Sequence, residues 1–219
     1  MSIKHKEIAA IRTDYIKYAL NERDVPKEPL VQFEKWFNQA LKAEVMEPNA
    51  MVLATVDQEN QPSSRVVLLK DLREGGLCFF TNYESKKGQE IKGNSKVSLL
   101  FFWPELERQV RIHGVAEMLP GVDSDDYFNS RPKASRIGAL ASHQSRVLKS
   151  RKELEDSMDL LTKEYSQREE VPRPVYWGGY LVRPTYFEFW QGGQSRLHDR
   201  VIYKRASKDE DWIIERLSP

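Results

Sequence analysis

The chain has 219 residues, 40% hydrophobic and 11% aromatic, enough to bury a sizeable core in one domain without disulfides or metals. Its 34 basic and 33 acidic side chains leave a formal net charge of +1, which excludes the broad positive field that draws a protein onto nucleic acid or anionic lipid. Cys78 is the single cysteine, so no intramolecular disulfide can form, and its apolar surroundings at 77–80 predict a buried, inert thiol. In chain order, residues 1–20 mix Lys4, Lys6, Glu7, Arg12, Asp14 and Lys17 among apolar residues and lack the h-region of a signal peptide. The longest apolar runs, such as 97–103, fall far short of the roughly 18 residues of a membrane span, so a cytoplasmic protein is expected. Helices are predicted over 8–20 and 29–43, the second with Leu30, Phe33, Phe37 and Leu41 on one face.

From Met51 the pattern becomes β-rich, with strands predicted at 51–56, 64–70, 77–81, 97–103 and 109–118 and turn chemistry at 57–62 and 74–76. Short helices are predicted at 85–91, 123–130 and 134–142. Ser150 and Glu153 form a capping box for a helix lined by Leu154, Met158, Leu161 and Tyr165. Strands resume at 177–182, 186–190, 201–205 and 212–217. Many short strands with tight connections predict a mainly β protein with peripheral helices, an antiparallel barrel or sandwich, as a single domain over 1–219.

Four stretches could carry chemistry. Strand alternation over 64–70 sends Arg65, Val67 and Leu69 to one face and Val66, Leu68 and Lys70 to the other, so the two cations either meet different anions or are simply solvated. Ser85-Lys86-Lys87-Gly88 starts a helix after a strand, which suits a phosphate and equally suits a solvated helix start. Tyr127, Arg131 and Ser135 gather a phenol, a planar guanidinium fork and a hydroxyl around the break set by Pro132, a phosphate cradle or a plain helix junction. The stretch 190–200 crowds Trp190, Gly192, Gly193, Arg196, His198, Asp199 and Arg200 into one connection, with alternation placing Arg196, His198 and Arg200 on one side. His5, His113, His143 and His198 lie far apart, so no metal-ligand spacing exists, and no dinucleotide, Walker or Gly-x-Ser-x-Gly motif occurs.

Taken in order, the segments 65–70, 107–111, 130–132, 142–145, 189–192, 196–200 and 215–219 resemble the pyridoxine (pyridoxamine) 5′-phosphate oxidase family over nearly the whole chain. The resemblance implies an FMN-binding split β-barrel, a homodimer with FMN at the subunit interface, and an N-terminal helical segment, 1–45, packed on or closing over the active site. It implies oxidation of pyridoxine or pyridoxamine 5′-phosphate to pyridoxal 5′-phosphate, by hydride transfer from C4′ to flavin N5 and reoxidation by O2 to give H2O2. FMN contacts carry over to Arg65, Val66, Val67, Leu68, Leu69, Lys70, Phe80, Thr81, Lys86, Lys87, Gln109, Gln144, Ser145, Trp190 and Arg200. Substrate contacts carry over to Arg12, Tyr15, Lys70, Tyr127, Arg131, Ser135, Arg196, Leu197 and His198, with Arg196 and His198 as the catalytic pair at the pyridine ring. Lys86 stands where arginine is frequent in the family and Glu47 where some members carry aspartate, so Lys86 offers a point charge in place of a bidentate fork.

Overall fold

The structure, a computed structural model, describes Tyr15, residues 17–205, Ser207 and residues 210–219. Among the described residues nine strands form one sheet: β1 (Ala50–Val56), β2 (Pro62–Leu68), β3 (Asp71–Arg73), β4 (Gly76–Asn82), β5 (Lys96–Trp103), β6 (Arg108–Met118), β7 (Trp177–Gln191), β8 (Asp199–Lys204) and β9 (Ile213–Leu217). Their order is β2-β1-β5-β6-β7-β4-β3, with β8 on β7 and β9 on β8. The β1–β2, β3–β4, β4–β7, β7–β8 and β8–β9 ladders are antiparallel. The helices are α1 (Pro29–Lys42), α2 (Lys86–Gly93), α3 (Gly121–Ser130), α4 (Lys133–Ala141) and α5 (Arg151–Glu164), with 3₁₀ turns at Pro104–Leu106 and Gln194–Arg196. Among the described residues no helix is long and apolar enough to cross a membrane.

The chain divides into two compact units. The first comprises 49–99 and 113–184, the second 1–48, 100–112 and 185–219. In the first, β4 is buried along nearly its whole length, as the run Leu77-Cys78-Phe79-Phe80 requires, and burial pushes the Cys78 thiol up to about 11. Behind it Phe128, Ile137, Tyr165, Val171 and Trp177 form a cluster that fixes α3 and α4. Ser85 caps α2 by accepting from Gly88 N at 3.3 Å, and a Cβ on Gly88 would collide with the Tyr83 carbonyl, so only glycine permits this tight strand-to-helix turn. In the second unit Phe33, Trp36, Phe101, Trp103, Phe187, Phe189 and Tyr203 are buried, with Trp36 edge-on to Phe189 at 5.3 Å.

Several expectations change. Most of the first predicted helix, 8–20, lies outside the described residues, and Lys17 to Leu20 are not helical. The buried face of α1 is Pro29, Gln32, Phe33, Trp36 and Ala40, whereas Leu41 is 52% exposed. β2 ends at Leu68 because the chain turns at once into the short hairpin β3–β4, with Lys70 N donating to Cys78 O at 2.9 Å. The strands expected at 177–182 and 186–190 are one continuous strand through Pro184. Ser150 makes no side-chain cap bond; Glu153 instead accepts from Lys149 N at 3.1 Å.

Candidate active site

A cleft of about 760 Å³ opens in the first unit, within the ~300–1,000 Å³ range of small-molecule sites. β2 contributes Arg65, Val66, Val67 and Leu68, and Lys70 follows just beyond its end. β4 ends on Phe80, Thr81 and Asn82, and the first turn of α2 adds Lys87. Tyr127, Arg131 and Ser135 come from the α3–α4 junction, with Gly138, Ala139, Ser142, Gln144 and Trp177 completing the wall. The junction opens toward the cleft because Pro132 forces Arg131 into an extended conformation, φ −75° and ψ 148°, which stops α3. One wall is an aromatic stack: Phe80 lies 3.9 Å from Tyr127 and 5.7 Å from Trp177, and the Tyr127 and Trp177 rings are within 7° of parallel.

The cations of this cleft differ in how they are satisfied. Arg65 is engaged by protein groups: Nη2 donates to Ser63 Oγ at 2.6 Å and to buried Glu90 at 3.1 Å, while Nη1 donates to Leu53 O and Thr55 Oγ1. Lys87 is 9% exposed and has only neutral hydrogen-bond partners, Gln144 Oε1 at 2.9 Å and Ser85 Oγ at 3.4 Å. Burial, reinforced by Arg65, holds its pKa below the usual lysine value. Arg131 lies 4.7 Å over the Trp177 ring, its Nη1 is buried with no hydrogen-bond partner, and burial lowers its pKa. Buried Lys87 and half-buried Arg131 are paired by no carboxylate, and hydroxyl and amide groups line the same cleft, a charge pattern that an anion such as phosphate would match.

The expected site residues fall into three groups. Arg65, Val66, Val67, Leu68, Lys70, Phe80, Thr81, Lys87 and Gln144, assigned to FMN, line the same cleft as Lys70, Tyr127, Arg131 and Ser135, assigned to the substrate phosphate. Leu69 is buried, Lys86 is exposed and lies 3.8 Å from Glu90, and Ser145 is exposed with φ 72°, so these three do not line it. Gln109, Trp190, Arg196, Leu197, His198 and Arg200 belong to the second unit, as does Tyr15; Arg12 lies outside the described residues. Asn82, Ser142 and Trp177 are cleft residues that the sequence reading missed.

In the second unit Tyr15, Trp190 and His198 form an aromatic group, with Trp190 and His198 4.7 Å apart and Tyr15 5.7 Å from each. Gly193 N donates to His198 Nδ1 at 3.2 Å, so Nδ1 is the acceptor and the neutral ring carries its proton on Nε2. The alternation expected for Arg196, His198 and Arg200 is broken: the Gln194–Arg196 turn holds Ser195 and Arg196 at φ 52° and 63°. Asp199 accepts from Leu20 N at 2.9 Å and Arg216 Nη1 at 2.6 Å, tying Leu20 to the start of β8. Arg200 donates from Nε to Glu188 at 2.8 Å and from Nη1 to Ser218 O at 2.8 Å.

Residues 37–162 match the family model described as pyridoxamine 5′-phosphate oxidase, and residues 177–219 match that of the pyridoxine 5′-phosphate oxidase C-terminal dimerisation region. A pyridoxine/pyridoxamine 5′-phosphate oxidase of Haemophilus influenzae is 52% identical over 213 residues, covering 97% of this chain and 100% of that protein. The structure of PhzG from Burkholderia lata, in complex with tetrahydrophenazine-1-carboxylic acid, is 32% identical and covers 90% of this chain and 96% of its own, with a TM-score of 0.84. A pyridoxamine 5′-phosphate oxidase-related, FMN-binding protein from Nostoc punctiforme shares the fold at 16% identity, covering 91% of this chain and 100% of its own, with a TM-score of 0.67.

Proposed function

The chain belongs to the pyridoxamine 5′-phosphate oxidase family, and from that premise we propose that it oxidises pyridoxine or pyridoxamine 5′-phosphate to pyridoxal 5′-phosphate as a cytoplasmic, FMN-dependent homodimer with FMN between its subunits. The observation that carries this reading is the pair of cations without carboxylate partners, buried Lys87 and half-buried Arg131 with its Nη1 buried and unpartnered, in one cleft large enough for small-molecule ligands.

Lys87, with Gln144 and Thr81, would hold the phosphate of FMN, and Val66, Val67 and Leu68 its flat ring system. Trp190 and Arg200 are assigned to the same cofactor. The residues of this cleft would hold FMN, which when bound would supply two-electron redox chemistry for oxidation of the substrate at C4′, with dioxygen as the final acceptor and hydrogen peroxide as its product. Arg131 and Lys70 would hold the substrate phosphate as charged donors, and Tyr127 and Ser135 as neutral ones. Arg196 would stabilise charge at the pyridine ring, while His198, its Nδ1 already occupied, offers Nε2–H as a donor to a ring substituent. These groups act by orientation, which can supply roughly 7–11 kcal/mol of barrier lowering at best.

The deciding experiment is purification after FMN addition, followed by peroxide measurement with pyridoxine 5′-phosphate. A yellow protein that releases peroxide in step with pyridoxal 5′-phosphate is the expected result. Colourless protein that takes up no FMN, or a flavoprotein that oxidises a tricyclic carboxylic acid but not the B6 phosphates, would overturn the proposal.

A further inference from the structure

Arg108, the first residue of β6, is 4% exposed, and all its partners are neutral. Nε donates to Gln191 Oε1 at 2.9 Å and Nη1 to Gln39 Oε1 at 2.5 Å, and the guanidinium lies 4.4 Å over Trp36 and 4.7 Å over Tyr18. Burial pushes its pKa down to about 10. A buried cation with no counter-charge is a costly way to fill space that methionine or leucine would fill more stably. What the guanidinium adds is direction. Because Nε donates to Oε1 of Gln191, the other end of that amide must face the 3₁₀ turn, and its Nε2 donates to Leu106 O and Glu107 O, each at 3.2 Å.

That orientation passes to the loop that follows. Gly192 N donates to Glu107 O at 2.8 Å, and Gly193 N donates to His198 Nδ1. A Cβ on Gly192 would lie 2.6 Å from the Tyr15 ring, so this backbone sits directly against the aromatic group. We propose that Arg108 is a positioning residue: by fixing the Gln191 amide it sets the course of residues 192–198 and thereby the placement of Arg196 and His198. Only the kinetic part of its test rests on the oxidase reading.

The test uses the full-length, FMN-loaded protein and three variants: Arg108→Lys, Gln191→Met and the double variant. Arg108→Lys keeps the charge but loses the fork, and Gln191→Met removes the same hydrogen bond with a side chain of similar volume. With pyridoxine 5′-phosphate, kcat is expected to fall by about 10- to 100-fold in each single variant while KM rises less than about threefold. The double variant should be no slower than the worse single, because both act through one contact. Independently of turnover, the His198 imidazole ¹⁵N resonances, assigned against His198→Asn, should lose the pattern of a fixed Nδ1 acceptor. Additive losses, an unaltered His198 resonance, or unchanged kcat in a merely less heat-stable protein would each overturn the proposal. If wild type oxidises nothing, the oxidase reading fails and the His198 resonance still decides the positioning role. If Arg108→Lys does not fold, Gln191→Met alone decides it.

Discussion

Replacing Arg131 by methionine separates its cost from its use. In the unliganded protein Nη1 is buried without a partner, so the substitution relieves a desolvation penalty of about 1–3 kcal/mol. It also forfeits the contact 4.7 Å over Trp177, worth roughly 0.5–2 kcal/mol. These oppose each other, and the net change in unfolding stability is expected to lie between a loss of about 1 and a gain of about 2.5 kcal/mol. Toward a substrate phosphate the loss is one charge-assisted hydrogen bond, about 1.5–3 kcal/mol, or roughly ten- to hundredfold in KM with kcat nearly unchanged. The assay is initial peroxide release against pyridoxine 5′-phosphate concentration, with unphosphorylated pyridoxine as control; wild type and variant should handle the control alike. A KM within about twofold of wild type, in a variant of normal stability, would refute the assignment of this guanidinium to phosphate.

Lys87 gives a pH signature. Its folded pKa lies below the usual 10.5, so the unfolded chain binds more protons in the alkaline range and unliganded stability rises as pH climbs through the folded value. Phosphate binding needs the ammonium, so FMN affinity should weaken over the same window, and Lys87→Arg should flatten the profile; parallel profiles would remove Lys87 from the site. Gly192→Ala should displace Tyr15 and lower turnover several-fold with little change in Tm, since its new Cβ would meet the ring rather than the core; undiminished activity would show that Tyr15 has no role there. Glu188, 2% exposed, accepts from Arg111, Arg200 and Tyr186 at 3.1, 2.8 and 3.1 Å. Glu188→Ala leaves two guanidinium groups without their carboxylate and should cost about 3 kcal/mol in chemical denaturation, the low end of such losses because Arg111 is partly exposed; a loss under about 1 kcal/mol would mean that solvent screens the cluster.

The strands that periodicity located are those whose side chains alternate or whose whole length is buried, such as β1 and β4. The errors occur where tertiary contacts override the local pattern. Pro184 reads as a strand breaker, yet β7 runs through it. The apolar face drawn through Leu30, Phe33, Phe37 and Leu41 is rotated once α1 meets its core: Gln32 and Trp36 are buried with Phe33, Leu30 and Phe37 are half-buried, and Leu41 is exposed. Ser195 and Arg196 adopt left-handed conformations that nothing in their side chains favours, so the alternation drawn through 196–200 was bound to fail. In the site, the basic pair 86–87 announces a helix start. Which lysine is buried depends on the roughly 100° between neighbours on α2, and that turns Lys87 inward and leaves Lys86 beside Glu90. Trp177 could not be recognised as a cleft residue, because its role comes from stacking with residues 50 and 97 positions away.

The pairing of charges also changes which cation is the better candidate for binding. From sequence, Arg65 and Lys87 are equal candidates for the cofactor phosphate. In the fold they are unequal, because the Arg65 guanidinium donates to Thr55, Ser63 and Glu90, and the Thr55 and Ser63 hydroxyls donate in turn to Glu90. Glu90 keeps its carboxylate charged through those donors despite its burial, so the Arg65 charge is largely matched before any ligand arrives. Lys87 and Arg131 have no such match. An anion entering the cleft gains most where positive charge is desolvated and unpaired, so under the proposed function these two residues, rather than Arg65, would supply the differential attraction for phosphate, while the hydrogen bonds of Arg65 fasten β2 to α2 at the cleft wall.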